Sequence, residues 1–328
     1  MPLMDDNGQA LELGAYVEAV VPTAGGLAFA TTEGQVAFGA TPPRRIHDGG
    51  ILCAAAFDGG IATGGDDGCV KLVKADGTVI DVAELPGKWI EKMAASDGGG
   101  IAFATGKTVH VARPVKGIFR TIAHEHTVQS LAFDPKGKRL AVAHYNGVSL
   151  WWVNSDASKP MVLGWKGAHT LVTWSPDGKF VMTAMQENAL HGWRLADLAD
   201  MRMGGYPSKT KSFAWVDKGR YLATSGAEAV VLWPFTDKNG PMGKSGLQRF
   251  GLGALCTAVA AHPKQGILAA GFADGAVLLY RTDDEMEVLV AGRTDEEVPV
   301  TAIAFSRDGK QLGFGREDGT GGLVELPG

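Results

Sequence analysis

Cysteine is scarce. Three residues, Cys53, Cys69 and Cys256, stand far apart with no C-x-x-C spacing. An odd, scattered set excludes a disulfide framework and paired-thiol metal knuckles, and it fits a reducing compartment. Basic charge is also in deficit: 31 Lys and Arg stand against 36 Asp and Glu, a net charge of −5. Arg44-Arg45 is the only Arg-Arg pair, so the cationic stripe of a nucleic-acid binder is missing. No apolar run approaches the roughly 20 residues of a membrane span. The opening "MPLMDDNGQALELG" carries two aspartates and no apolar core, unlike a secretory leader. A cytoplasmic protein with neither nucleic acid nor membrane as partner is expected. Sustained helical periodicity is absent too. So are the nucleophile elbow G-x-S-x-G and the metal-hydrolase H-E-x-x-H.

Glycine, in contrast, is abundant at 46 residues, while proline is ordinary at 15. Without a collagen period, that balance points to many tight turns. A unit repeats. It reads "LAFATTEGQVAF" from Leu27, "IATGGDDGCVKL" from Ile61, "IAFATGKTVHV" from Ile101 and "LAVAHYNGVSLWW" from Leu140. It continues as "VMTAMQENALHGW" from Val181, "LATSGAEAVVLW" from Leu222, "LAAGFADGAVLLY" from Leu268 and "LGFGREDGTGGLV" from Leu312. The anchors are separated by 34, 40, 39, 41, 41, 46 and 44 residues. Such a period is that of a four-stranded propeller blade, about 40–45 residues.

Within each unit a short apolar segment runs into a turn, as in "VTWSPDGKF" and "AIAFSRDGKQ". Proline presets φ there and glycine supplies positive φ. A second turn follows, at Asp66-Asp67-Gly68, Asn146-Gly147, Asp274-Gly275 and Asp318-Gly319. A third segment often ends in an aromatic, as at Trp152, Trp193, Trp233 and Tyr280. Four to seven residues per segment and turns every 8–12 residues predict an all-β chain. "HGWRLADLADMRMGG" is the best helical candidate, yet its slot in the repeat predicts strand, loop and strand.

With this pattern the chain resembles the WD40 repeat family of β-propellers over nearly its full length. Ser175-Pro176-Asp177-Gly178 with Trp193, and Ser306-Arg307-Asp308-Gly309 with Asp318-Gly319, carry the likeness. His124, ten residues before Asp134, takes the place of the family's His, with Ala123 for its Gly. No third strand ends in Trp-Asp, so the family's His–Ser/Thr–Asp–Trp network is expected to be incomplete. The expected fold is an all-β closed propeller of eight four-stranded blades, with seven as the alternative. One domain spans 1–328, and residues 9–14 close the ring as the outer strand of the last blade.

Several chemical readings compete. "AHEHT" sets His124 two residues from His126, with His144 and His169 as further candidates, but the spacing matches no zinc-site rule and turn roles are favoured. "GPMGKSG", 240–246, lacks the first glycine of a phosphate loop, and a loop between blades is expected there. Asp66-Asp67 and Asp283-Asp284 are expected to bond turn backbone. Most tryptophans fall on strands and are expected to pack blade against blade, whereas Trp89 and Trp165 fall in loops on one rim.

Aligned on the anchors, Glu91, Gln129, Thr170, Lys211, Thr257 and Thr301 fall at equivalent places near the channel mouth. Neighbouring rim residues are His47, Asp48, Lys88, Trp89, His126, Lys209 and Arg293. This mixture is polar but chemically uncoordinated. It suits recognition of a protein or peptide segment by a non-enzymatic scaffold, with no catalytic residue, cofactor or metal. The alternative is a propeller, enzymatic or not, that binds a small molecule or metal in its channel.

Overall fold

The computed structural model describes residues 2–57, 59–96, 100–114, 116–155 and 159–327. Among them the strands pair into seven hydrogen-bonded sheets, six of four strands and one of six. Every pairing is antiparallel between successive strands, except at the seam where the chain ends meet. The six-stranded sheet is two neighbouring units sharing long strands. Arg139–Trp152 folds back at Asn146 (φ 68°) and Gly147 (φ 141°), and Val153 N–H donates to Lys138 at 3.0 Å across the hairpin. Met161–Trp174 supplies the outer strand of one unit through Met161–Gly164 and the innermost strand of the next through its second half. Counted by sheets the ring has seven members. Counted by innermost strands it has eight four-stranded units, one per sequence anchor, numbered here as blades 1–8.

The innermost strands begin at Val17–Thr23, Ile51–Phe57, Lys92–Ser96, Ser130–Phe133, the second half of Met161–Trp174, Phe213–Val216, Cys256–Ala261 and Val300–Phe305. One buried residue introduces each of them: Val17, Ile51, Ile90, Val128, His169, Thr210, Cys256 and Val300. The partner strand carries a small residue where the next blade approaches. A Cβ on Gly271 would lie 2.4 Å from Val300, and one on Gly315 would lie 2.4 Å from Val17. Ala30, Ala104, Ala143 and Ala184 hold the corresponding place in other blades, all buried. Close packing of sheet on sheet explains much of the glycine and alanine content.

Blade-to-blade hydrogen bonds repeat the sequence period. Trp174 Nε1–H donates to the Ala132 carbonyl and Trp215 Nε1–H to the Thr173 hydroxyl, both at 3.1 Å and 42 residues apart. The Ser212 hydroxyl donates to the Val259 carbonyl at 3.2 Å and accepts from Val259 N–H at 3.1 Å, across 47 residues. Trp174, Trp193 and Trp233 are buried as expected of blade packing. Trp152 departs from that expectation: it is 53% exposed, with the Arg139 guanidinium 5.8 Å from its ring.

The N-terminal strand closes the ring. Gly8–Glu12 pairs with Thr320–Glu325 in register Gly8↔Val324 to Glu12↔Thr320, completing the sheet of Val300–Phe305 and Gln311–Arg316. A short helix, Leu3–Asn7, precedes it, in a stretch too short to show a helical period. The segment "HGWRLADLADMRMGG" folds as strand Leu190–Arg194, a turn, and strand Ala199–Met203. "GPMGKSG" lies in the loop joining Ala229–Pro234 to Leu247–Phe250, inside blade 6 rather than between blades.

Candidate functional site

Strand alternation fixes two faces. Loops entering each innermost strand, and turns joining the second to the third strand, share one face. The remaining turns share the other. All the rim residues named from sequence belong to the first face, which we call the loop face.

Bulges shape its channel mouth. Register shifts occur between Val17 and Ala19, Ile51 and Cys53, His169 and Leu171, Cys256 and Ala258, and Val300 and Ala302. Each leaves one residue unpaired and re-aimed: Glu18, Leu52, Thr170, Thr257 and Thr301. The threonines spend their hydroxyls internally. Thr170 donates to Ala184 at 3.2 Å. Thr257 reaches the Val300 carbonyl of the next blade at 2.6 Å, and Thr301 reaches the Val17 carbonyl at 2.7 Å. Thr257 and Thr301 thus brace neighbouring blades, while Thr170 braces its own. Gln129 is half-buried and Lys211 exposed.

Glu18 and Leu52 escape an alignment started at the later anchors, yet they complete the ring of equivalent positions. Burial pushes the Glu18 carboxyl up to about 7, with Lys92 pulling the other way. Near neutrality, Glu18 is therefore shared between its neutral and charged forms. Glu91, next to Lys92 in the chain, is half-buried, and its backbone N–H donates to Ala104 at 3.2 Å.

His47 is buried rather than presented at the surface. Its Nδ1 lies 3.0 Å from both Asp67 carboxylate oxygens and its Nε2 lies 2.8 Å from the Thr63 hydroxyl. Burial keeps the ring below the ordinary histidine range, so the neutral tautomer donates from Nδ1 to Asp67 and accepts at Nε2. Asp67 also accepts from Cys69 N–H at 3.0 Å and Asp48 N–H at 3.2 Å. The trio ties the loop before blade 2 to the blade's own turn. Other blades carry variants. His169 Nδ1 sits 2.8 Å from the Thr183 hydroxyl, and in blade 6 Trp233 Nε1–H donates to the Tyr206 hydroxyl at 2.6 Å while that hydroxyl meets Thr224 at 2.6 Å.

The histidines of blade 4 gather without forming a metal centre. His124 and His126 lie with ring centroids 5.8 Å and 6.3 Å from His144. His144 already spends both nitrogens, on the Tyr145 carbonyl and the Ser149 hydroxyl, each at 2.8 Å. Burial holds His124 down at about 4. Among the described residues no group of three or more His, Cys, Asp or Glu is placed to hold a metal.

What the loop face does expose is aromatic and cationic. Trp89 is 62% exposed in a turn fixed by Lys88 N–H donating to Leu85 at 3.1 Å. Trp165 stacks on the buried His191 ring at 4.0 Å and shows its other side to solvent. Tyr16, Tyr145, Phe250 and Leu252 are exposed on the same face, and sequence reasoning passed over them. Their signal was available: each lies in a loop entering an innermost strand, in the turn after a second strand, or at the end of an outer strand. Lys88, Lys209, Lys211 and Asp48 are exposed among them. Arg293 is exposed as well, its Nε 2.8 Å from the buried Asp274 carboxylate.

The turn aspartates serve structure. Asp66 accepts from Gly50 N–H at 2.8 Å, and Asp284 from Met286 N–H at 2.9 Å. Ser175 donates to Asp177 at 2.6 Å and Ser306 to Asp308 at 2.7 Å, closing turns on the opposite face.

Neither a protein-family model nor a curated protein matches the sequence. Among solved structures, the chain is similar to the computationally designed Ika8 protein, with TM-score 0.76 and 17% identity over 96% of this chain and 100% of that one. It is also similar to a chain of the Mitotic Checkpoint Complex, with TM-score 0.67 and 16% identity over 98% and 95% of the two chains. At these identities the likeness is one of fold alone, a closed β-propeller.

Proposed function

We propose that this propeller is a non-enzymatic scaffold whose loop face binds a segment of another protein. Rigid aromatics beside cations make effective contact anchors, because little conformational entropy is lost when they are buried. The observation that carries the reading is Trp89, 62% exposed on a pinned turn beside Lys88. Tyr16, Trp165, Phe250 and Leu252 extend the apolar surface, and Lys209 and Lys211 favour acidic groups on the partner. Of the residues named from sequence, Asp48, Lys88, Trp89, Glu91, His126, Gln129, Lys209, Lys211 and Arg293 are assigned to contact. His47 and Thr170 are assigned to support, since their polar atoms are spent within the protein. We place the protein in the cytoplasm, in keeping with its three free cysteines, and assign it no nucleic-acid partner. No helix among the described residues is long and apolar enough to cross a membrane.

A pull-down from native lysate tests this reading. A Trp89→Ala, Lys211→Glu double variant is expected to lose a partner that the unchanged protein retains, with the same urea midpoint. Retention of every partner moves the site off this face. A channel ligand is the competing reading, favoured by the near-neutral Glu18 carboxyl at the mouth. A thermal-shift screen with metabolites and metals, repeated on Glu18→Gln, separates the two, because a channel ligand gives a shift that this substitution reduces.

A further inference from the structure

Opposite the loop face, blades 7 and 8 frame a half-open pocket of about 550 Å³. Leu3 of the N-terminal helix, Ile267, Leu279, Val288 and Leu326 form a largely apolar wall. Its size and lining are those of a small-molecule site rather than a packing defect, since such sites run about 300–1,000 Å³ with a few placed polar groups. His262 stands in the wall already satisfied: Nδ1 accepts from Lys264 and Gln265 N–H at 3.2 and 3.0 Å, and Nε2–H donates to the Gly309 carbonyl at 3.1 Å. It therefore closes the pocket without adding charge.

The lining charge has one sign in excess. Among the described residues, Lys264, Arg281 and Lys310 line it with a single acidic side chain, Asp308. Asp308 is engaged by the Ser306 hydroxyl at 2.7 Å and by Lys310 N–H at 3.0 Å. Arg281 is held by Asp283 and Asp284 at 3.1 and 3.4 Å. The exposed Lys264 ammonium forms no ion pair among the described residues, and the exposed Lys310 ammonium lies in the field of Asp308, whose carboxyl it helps hold below the ordinary range. An apolar interior with two exposed ammonium groups in its lining favours a ligand with an apolar body and an anionic head.

We propose that this pocket binds a single-chain amphiphile bearing a carboxylate, a medium-chain fatty acid in chemical class. The acyl chain lies against Ile267, Leu279 and Val288, and the carboxylate meets Lys264 and Lys310. The site is independent of the partner rim, which occupies the other face.

Isothermal titration of the full chain tests it, using dodecanoate below its micellar range and dodecyltrimethylammonium as the probe of opposite charge. Dodecanoate is expected to bind one to one and at least tenfold more tightly than the cation. Lys264→Glu with Lys310→Glu is expected to weaken dodecanoate at least tenfold while leaving the urea midpoint unchanged. Val288→Trp, which fills the wall without altering charge, is expected to weaken both probes. Absence of one-to-one dodecanoate binding by the folded protein overturns the proposal. So does equal affinity for the two head groups, or full affinity in the double lysine variant.

Discussion

His47 shows how a residue's role turns on neighbours far away in sequence. Read in line, it sits in a loop beside Asp48 and suggests a surface contact. In the fold, Asp67 and Thr63, twenty and sixteen residues on, take both ring nitrogens. Nothing local announces that pairing, although the family resemblance describes such a network in general terms. His47→Ala removes a partner from a half-buried carboxylate and from a buried hydroxyl, so it is expected to cost about 2 kcal/mol. Asp48→Ala, at an exposed position, is expected to change stability by less than about 0.5 kcal/mol. Urea unfolding of the two variants checks the contrast.

Glu18 was illegible for a different reason, since desolvation at a bulge has no sequence signature. Its folded-state value of about 7 lies above the ordinary 4.5. The unionised form is favoured by the fold, so this contribution is complete below pH 4.5 and is lost as pH rises through 7. Glu18→Gln is accordingly expected to stabilise the protein at pH 8, by about 1–3 kcal/mol, and to change little at pH 4.5. Histidines act in the opposite sense. His124 and His191 are both held at about 4 by burial, below the ordinary 6.5. Their unfolded forms take up protons first on acidification, so stability falls between pH 6.5 and 4. His191→Gln is expected to flatten that decline in a series of urea midpoints against pH.

At the level of elements, the strands and turns were readable because each repeats a local rule. Asn146-Gly147 marks a two-residue hairpin, and both residues take the positive φ such a turn requires. A Cβ on Gly147 would also fall 2.2 Å from the Leu163 carbonyl of the outer strand. Gly147→Ala is therefore expected to cost several kcal/mol, beyond the ~1 kcal/mol of backbone strain alone. Thermal unfolding of the variant reads it directly. The bulges were not readable, because they depend on pairing register rather than residue type. Nor was the fusion of blades 4 and 5, where Met161–Trp174 runs without a break from outer to inner strand. The five-residue helix Leu3–Asn7 carries too little sequence to show a period, and its place follows from contact with the last blades.

For the whole molecule, the repeat spacing was the decisive signal. A period near 41 residues requires each unit to bury its faces against the next, and hydrogen bonds at separations of 42, 43 and 47 residues repeat that requirement in three dimensions. Closure was legible as well, because "GLVELPG" leaves the last unit one strand short and "QALELG" has no other partner. The candidate site was legible only as a set of equivalent positions. Polar residues at the channel mouth divide into those that brace blades and those that face solvent, and only the coordinates separate Thr257 from Lys211.

The ring itself underlies both proposed binding surfaces, and hydrogen–deuterium exchange at its seam is the most direct test. Amides of Gly8–Glu12 that donate to Thr320–Glu325 should exchange as slowly as those of Glu287–Ala291, through cooperative unfolding. Exchange of Gly8–Glu12 at the rate of a free tail, with the remaining blades protected, would contradict a ring sealed by its own first strand.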